Sequence, residues 1–249
     1  MERLLAEIRQ LLELKDDLAI ALAGAGGKTS LMRYLAHHLP HPVVCTTSTK
    51  LSLDEAAFFD RHITWEDERS ALPDLLAATG NVLVTGFSIE LEGKKKLNGL
   101  SNEQMILLKQ ICFEKQLPLI IEADGSKRRP LKAPADWEPV IPDFTDLVIV
   151  VVGLAGLMKP LNEENVFRSQ VFAQLTGVET GQLVDLGAIL RYLRHPKGGL
   201  KAIPDKAKKF VLFNLARCDY LELVDRYLIK EELGGVFDGF SIEDMDLLS

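Results

Sequence analysis

Cysteine is scarce in this chain of 249 residues: Cys45, Cys112 and Cys218 stand far apart, odd in number and without a C-x-x-C pair. That excludes a disulfide framework and a cysteine metal site, and it points to a reducing compartment. Long apolar runs are missing as well. None approaches the ~18 residues of a membrane span, and Met1-Glu-Arg-Leu-Leu opens a charged amphipathic stretch rather than a basic-then-apolar secretory signal. The expectation is a cytoplasmic protein. Nor is there a basic excess. Formal net charge is −7 at pH 7, so neither nucleic acid nor a membrane surface is an expected partner. His37, His38, His41, His62 and His195 lack metal-ligand spacing, and no G-x-S-x-G elbow supports a serine hydrolase. With 47% hydrophobic and 26% charged residues, the composition is that of a globular protein whose core needs no staples.

Short apolar runs rich in β-branched residues occur at 18–23, 43–47, 82–85, 117–123, 147–152 and 210–213 and read as buried strands. Helical spacing fills 28–39, 67–78, 101–115, 162–175, 185–193 and 219–232, and 2–14 reads as an added helix with leucines on one stripe. Continuous apolar strands alternating with helices predict an α/β fold, a doubly wound and mostly parallel sheet with helices on both faces. Ser101 and Asp185 are the expected N-caps of their helices. Gly, Pro and Lys gather at 92–99 and 195–205, which predicts loops there. One domain over residues 1–249 is expected, with a small C-terminal elaboration after about residue 155.

The sharpest local signal is Gly24-Ala25-Gly26-Gly27-Lys28-Thr29-Ser30, set between the first strand and the first long helix. Glycines let consecutive backbone N–H groups turn inward, and the helix that follows adds the positive end of its dipole. The result is an anion cradle of the P-loop kind. Lys28 is then placed to reach the β- and γ-phosphates, and the Thr29 hydroxyl to ligate Mg²⁺. The position six before Lys28 is Leu22, so the loop is a shortened variant of G-x-x-x-x-G-K-[ST]. A dinucleotide G-x-G-x-x-G fails, because Thr29 stands where its third glycine belongs.

The run Leu119-Ile-Ile-Glu122-Ala-Asp124 ends an apolar strand in two carboxylates that the strand period places on one face. At the C-terminal edge of a parallel sheet that face meets the ligand crevice. Asp124 is expected at the Mg²⁺ or its water, with Glu122 joining it or orienting the attacking water. Lys28, Glu122 and Asp124 are thus the expected catalytic group. The following loop puts four cations, Lys127, Arg128, Arg129 and Lys132, into an acidic protein. Lys127, Arg129 and Lys132 are expected to hold a second anion or a transferring phosphoryl group. The second strand delivers Thr46, Thr47, Ser48, Thr49 and Lys50 to the same edge, and Thr47, Thr49 and Lys50 are expected to line the site. Two glycines at 153 and 156, and Arg168 on the next helix, are further lining candidates. Asn214-Leu-Ala-Arg-Cys-Asp219 is longer than a guanine-reading N-K-x-D and lacks its lysine, so ATP and GTP both stay open.

Several segments together resemble the selenium-dependent molybdenum hydroxylase accessory proteins of the YqeC type. They are Gly24 to Thr29, Thr46 to Lys50, Glu122 to Ser126 with Arg129 to Pro134, Glu138 to Pro142, and Val152 to Leu154 with Lys159-Pro160. The resemblance spans most of the first 170 residues in order. It implies a nucleoside-triphosphate-binding protein of P-loop type that acts in maturation of those hydroxylases, with a hydroxylase or its cofactor-insertion machinery as partner. Mg²⁺ with ATP or GTP are the expected cofactors, and hydrolysis or phosphotransfer the expected chemistry. Two alternatives stand beside it. One is a nucleotide-gated chaperone with negligible turnover of its own; the other is a small-molecule kinase or ATP-dependent ligase, since the loop also resembles that of Mur-type amide ligases.

Overall fold

Period two governs the strand at the middle of the molecule: Val148, Val150 and Val152 join one apolar cluster, while Leu147, Ile149 and Val151 join another on the opposite face. All six are buried, as a strand covered by helices on both sides requires. The computed structural model describes residues 4–8, 17–39, 42–65, 80–91 and 93–245. In chain order they form β1 (Ala19–Ala25), α1 (Lys28–His38), β2 (Val44–Thr47), β3 (Leu51–Ser52), β4 (Arg61–Thr64), β5 (Val82–Thr85), β6 (Ser88–Leu91), β7 (Lys94–Leu97), α2 (Asn102–Lys115), β8 (Leu119–Glu122), β9 (Leu131–Lys132), β10 (Leu147–Gly153), β11 (Val166–Phe167), α3 (Ser169–Thr176), α4 (Leu186–Arg194), β12 (Lys208–Asn214), α5 (Arg226–Leu233) and β13 (Gly239–Glu243).

Eight of the strands make one sheet in the order β13-β12-β10-β1-β8-β2-β5-β4, and every pairing in it is parallel. α1 brings Leu31, Met32 and Leu35 onto one face, against Ile20, Leu22 and Ile149. α3, α4 and α5 cover the other through Phe172, Ile189, Leu193 and Ile229. α2 closes a third cluster over β2, β5 and β8 with Met105, Leu108 and Cys112. This is the doubly wound α/β arrangement that the alternating apolar runs predict. The chain leaves β1 in one direction toward β2 and later fills the other side with β10, β12 and β13. The crevice of such a sheet therefore opens where β1, β8 and β10 end.

Both expected caps are in place. Ser101 and Gln104 form a reciprocal capping box at α2, and Asp185 accepts from the Ala188 N–H at 2.6 Å. Other expectations are corrected. The helix expected over 162–175 begins only at Ser169. Before it, Asn162 Oδ1 accepts the N–H groups of Glu164 and Asn165 and bends the chain, which then pairs as β11 with β9. The loop expected at 92–99 contains β7, paired antiparallel with β6 and β3. The helix expected over 219–232 is reduced to α5 after a short 3₁₀ turn at Leu221–Leu223. Residues 4–8 are helical, with Leu4 and Ile8 buried; the rest of the expected 2–14 helix, and the helix expected over 67–78, lie outside the described residues. Among the described residues no helix is long and apolar enough to cross a membrane.

Candidate functional site

β1 is buried along its whole length, and the chain leaves it through Gly24, Gly26 and Gly27, all at positive φ: 95°, 78° and 132°. Left-handed backbone is one reason for glycine here, and close approach is the other. A Cβ on Gly26 would stand 2.4 Å from Gly153 Cα, and one on Gly27 would stand 2.6 Å from Asn214 Nδ2. The loop is held from outside by Asn214, whose amide donates to the Gly26 carbonyl at 2.8 Å. The side-chain Oδ1 of Asn214 accepts the N–H groups of Ala216 and Met245. Its Oδ1 and one hydrogen of its Nδ2 are thus committed to backbone.

Gly27 caps α1 without a side-chain hydrogen bond, and the first turn carries no acidic residue. The amides that open the helix, at Lys28, Thr29 and Ser30, therefore lack a carboxylate or hydroxyl cap. Ala25 is buried. Lys28, only 4% exposed, folds back: its ammonium donates to the Gly24 carbonyl at 2.6 Å and stands 3.1 Å from Asp124 Oδ1 and 4.0 Å from Glu122 Oε1. The Thr29 hydroxyl donates to Glu122 Oε2 at 3.0 Å. The loop and the acidic end of β8 thus meet as the sequence places them.

Asp124 is the hub. Its Oδ2 accepts the Gly24 N–H at 3.1 Å and faces Lys132 at 2.9 Å. Its Oδ1 is buried and accepts no hydrogen bond, the nearby Lys28 ammonium being out of line for one. Lys132, 2% exposed, bridges Asp124 to Glu138, at 2.9 Å to each, and donates to the Gly125 carbonyl at 2.8 Å. Arg168 completes the chain at 2.8 Å from Glu138. Burial alone would raise the Glu138 carboxyl, but hydrogen bonds and charge from Lys132 and Arg168 outweigh it and hold it below the ordinary carboxylate range.

The remaining expected residues are dispersed. Lys127 lies over the Phe167 ring, 5.1 Å from its centroid, and Arg129 donates to the Glu163 carbonyl at 2.7 Å. Thr47 spends its hydroxyl on the Glu122 and Thr49 carbonyls. Thr49 and Lys50 line a separate cleft of about 490 Å³ that reaches Asp124. Glu138, singled out in the sequence only within the Glu138–Pro142 segment, also lines it, as do Phe87, Asn98 and Trp137, which escaped the sequence reading. A tryptophan inside a proline-rich polar loop, Pro134-Ala-Asp-Trp137-Glu-Pro139, is the one signal that pointed there.

Glu122 is driven upward in pKa by burial, more than Lys28 and the Thr29 hydrogen bond pull it down. A carboxyl whose folded pKa lies above its unfolded value binds more protons folded than unfolded. Its stabilising effect is thus complete at low pH and fades as pH rises from about 4.5 toward that folded pKa. In metal-free solution the urea midpoint of the wild type should fall relative to Glu122→Gln over that rise. Parallel pH profiles for the two proteins would refute the assignment.

Residues 20–170 match the family of YqeC proteins. The chain is 30% identical over 211 residues to "Uncharacterized protein YqeC" of Escherichia coli strain K12, an alignment covering 82% of this chain and 79% of that protein. No solved structure matches it.

Proposed function

We propose that this chain, which belongs to the YqeC family, binds the polyphosphate of ATP or GTP with Mg²⁺ and transfers or hydrolyses its terminal phosphoryl group. The observation that carries this is the uncapped start of α1, preceded by three left-handed glycines and facing Lys28, Thr29, Glu122 and Asp124. Backbone N–H groups and a helix N-terminus favour an anion, and the carboxylates beside them favour one that arrives with a cation. The donor set is oxygen only, which suits Mg²⁺. The buried Asp124 Oδ1 that accepts no hydrogen bond has lone pairs to give to a metal or its water. Among the described residues no three His, Cys, Asp or Glu side chains are grouped to hold a metal unaided. Phosphate oxygens and waters would complete the shell, as Mg²⁺ sites usually require.

In this reading Lys28 exchanges the Gly24 carbonyl for phosphate oxygen, and Thr29 and Asp124 hold the cation, directly or through water. Glu122 orients the attacking group. Magnesium held by Thr29 and Asp124 would supply positive charge against the phosphate oxygens. Lys132 and Arg168 keep Asp124 and Glu138 in place rather than touching the nucleotide. The resemblance to accessory proteins extends the proposal to maturation of selenium-dependent molybdenum hydroxylases, with such a hydroxylase or its cofactor-insertion machinery as partner.

Calorimetric titration with ATP, GTP and their diphosphates, with Mg²⁺ and with chelator, tests it. Binding of a triphosphate should be strengthened by Mg²⁺, and Thr29→Ala should remove most of that strengthening while leaving metal-free binding near the wild-type value. A protein that binds no triphosphate under either condition overturns the proposal.

A further inference from the structure

The 490 Å³ cleft between the ends of β2, β5 and β8 is not explained by a phosphate cradle. Two large aromatic side chains from different loops line it, Phe87 at 53% exposure and Trp137 at 75%. Side chains of that size are rarely left in water without a use when they share one concavity. Their flat faces suit a ring, by stacking. Electrostatics sets the rest of the ligand. Of the charged side chains lining the cleft, Asp124 faces Lys28 and Lys132, and Glu138 faces Lys132 and Arg168. Lys50, exposed at the cleft wall, has no ion-pair partner among the described residues. Lys50 is therefore the cation the cleft wall has to spare, beside the polar side chains of Thr49 and Asn98.

We infer that this cleft binds a second substrate, a small planar ring compound carrying a phosphate or carboxylate group. Phe87 and Trp137 hold the ring and Lys50 the anion, with the ligand seated against Asp124. As an acceptor of phosphoryl transfer the ligand rests on the nucleotide reading above; its binding does not. The cations expected for an acceptor, Lys127, Arg129 and Lys132, do not line this cleft. Lys50 takes that part.

Trp137 supplies its own probe, because the second tryptophan, Trp65, is buried. The full-length protein is loaded with Mg²⁺ and a non-hydrolysable ATP or GTP analogue, then titrated with the four ribonucleoside monophosphates, pyridoxal phosphate and riboflavin phosphate. Inner-filter effects are corrected, and affinities are checked by calorimetry. At least one probe should quench Trp137 saturably, and its affinity should fall tenfold or more in Lys50→Ala and in Phe87→Ala, both of which keep the triphosphate affinity of wild type. The same probe should bind Lys28→Ala unchanged. Absence of saturable binding by every probe overturns the inference. So does competition between probe and analogue, or a loss of triphosphate affinity in Phe87→Ala, since the cleft would then be the seat of the nucleotide's own base. If the wild type binds no triphosphate, with or without Mg²⁺, while the cleft binds its probe as described, the nucleotide reading fails and the second site stands.

Discussion

Replacing Asp124 by alanine is expected to lower stability by about 3 kcal/mol, the lower end of the cost of breaking a buried ion pair, and to abolish nucleotide-dependent turnover. The carboxylate is 2% exposed and faces two buried ammonium groups, Lys28 at 3.1 Å and Lys132 at 2.9 Å, besides accepting the Gly24 N–H at 3.1 Å. Its removal leaves Lys132 with Glu138 at 2.9 Å, but leaves Lys28 only a carboxylate 4.0 Å away that burial disposes toward its neutral form. For a chain of this size the loss corresponds to a fall of roughly 6–12 °C in Tm. Asp124→Asn separates the two effects. It keeps an acceptor for Gly24 and the side chain's volume, so the loop retains its bend while the charge is gone. Thermal melts that leave Asp124→Ala within 2 °C of wild type would show that the buried charges do not depend on this carboxylate.

What the sequence discloses and what it hides divide along contact range. The glycine loop is legible because its demands are local: positive φ, a strand before and a helix after. Glu122 and Asp124 are legible because two residues of strand period put them on one face. The central strands announce themselves by unbroken β-branched runs. β4, with Arg61 and His62, and the β6–β7 hairpin, with three consecutive lysines at Lys94, Lys95 and Lys96, carry no such signal. Their strand character comes from pairing, with β5 in one case and with each other in the other. The chain of charge from Asp124 through Lys132 and Glu138 to Arg168 is equally hidden. A cation-rich loop reads as an anion site until the fold supplies its carboxylates, and for Lys132 it supplies two. Asn214 is the extreme case. Its amide meets the Gly26 carbonyl 188 residues away in sequence, a contact created only when β10 has been laid between β1 and β12.

Lys28 should prove the residue on which triphosphate affinity depends most. Its ammonium is buried, donates to the Gly24 carbonyl at 2.6 Å and lies within 4.0 Å of both acidic side chains. A desolvated cation held at the mouth of an uncapped helix makes a charge-assisted contact with phosphate, worth about 1.5–3 kcal/mol. Lys28→Ala should therefore weaken Mg²⁺-triphosphate binding by roughly 10- to 150-fold. Diphosphate should suffer less and monophosphate scarcely at all, because the ammonium reaches the outer phosphates. Alanine also removes three carbons of buried stem, so Lys28→Met is the companion variant, restoring most of the volume without the charge. If the charge is responsible, methionine loses as much affinity as alanine while melting closer to wild type. Should methionine bind triphosphate normally, or should both variants bind ATP and GTP as the wild type does in calorimetry, Lys28 is a packing residue of the Gly24–Thr29 turn. The anion cradle then has no cation at its centre.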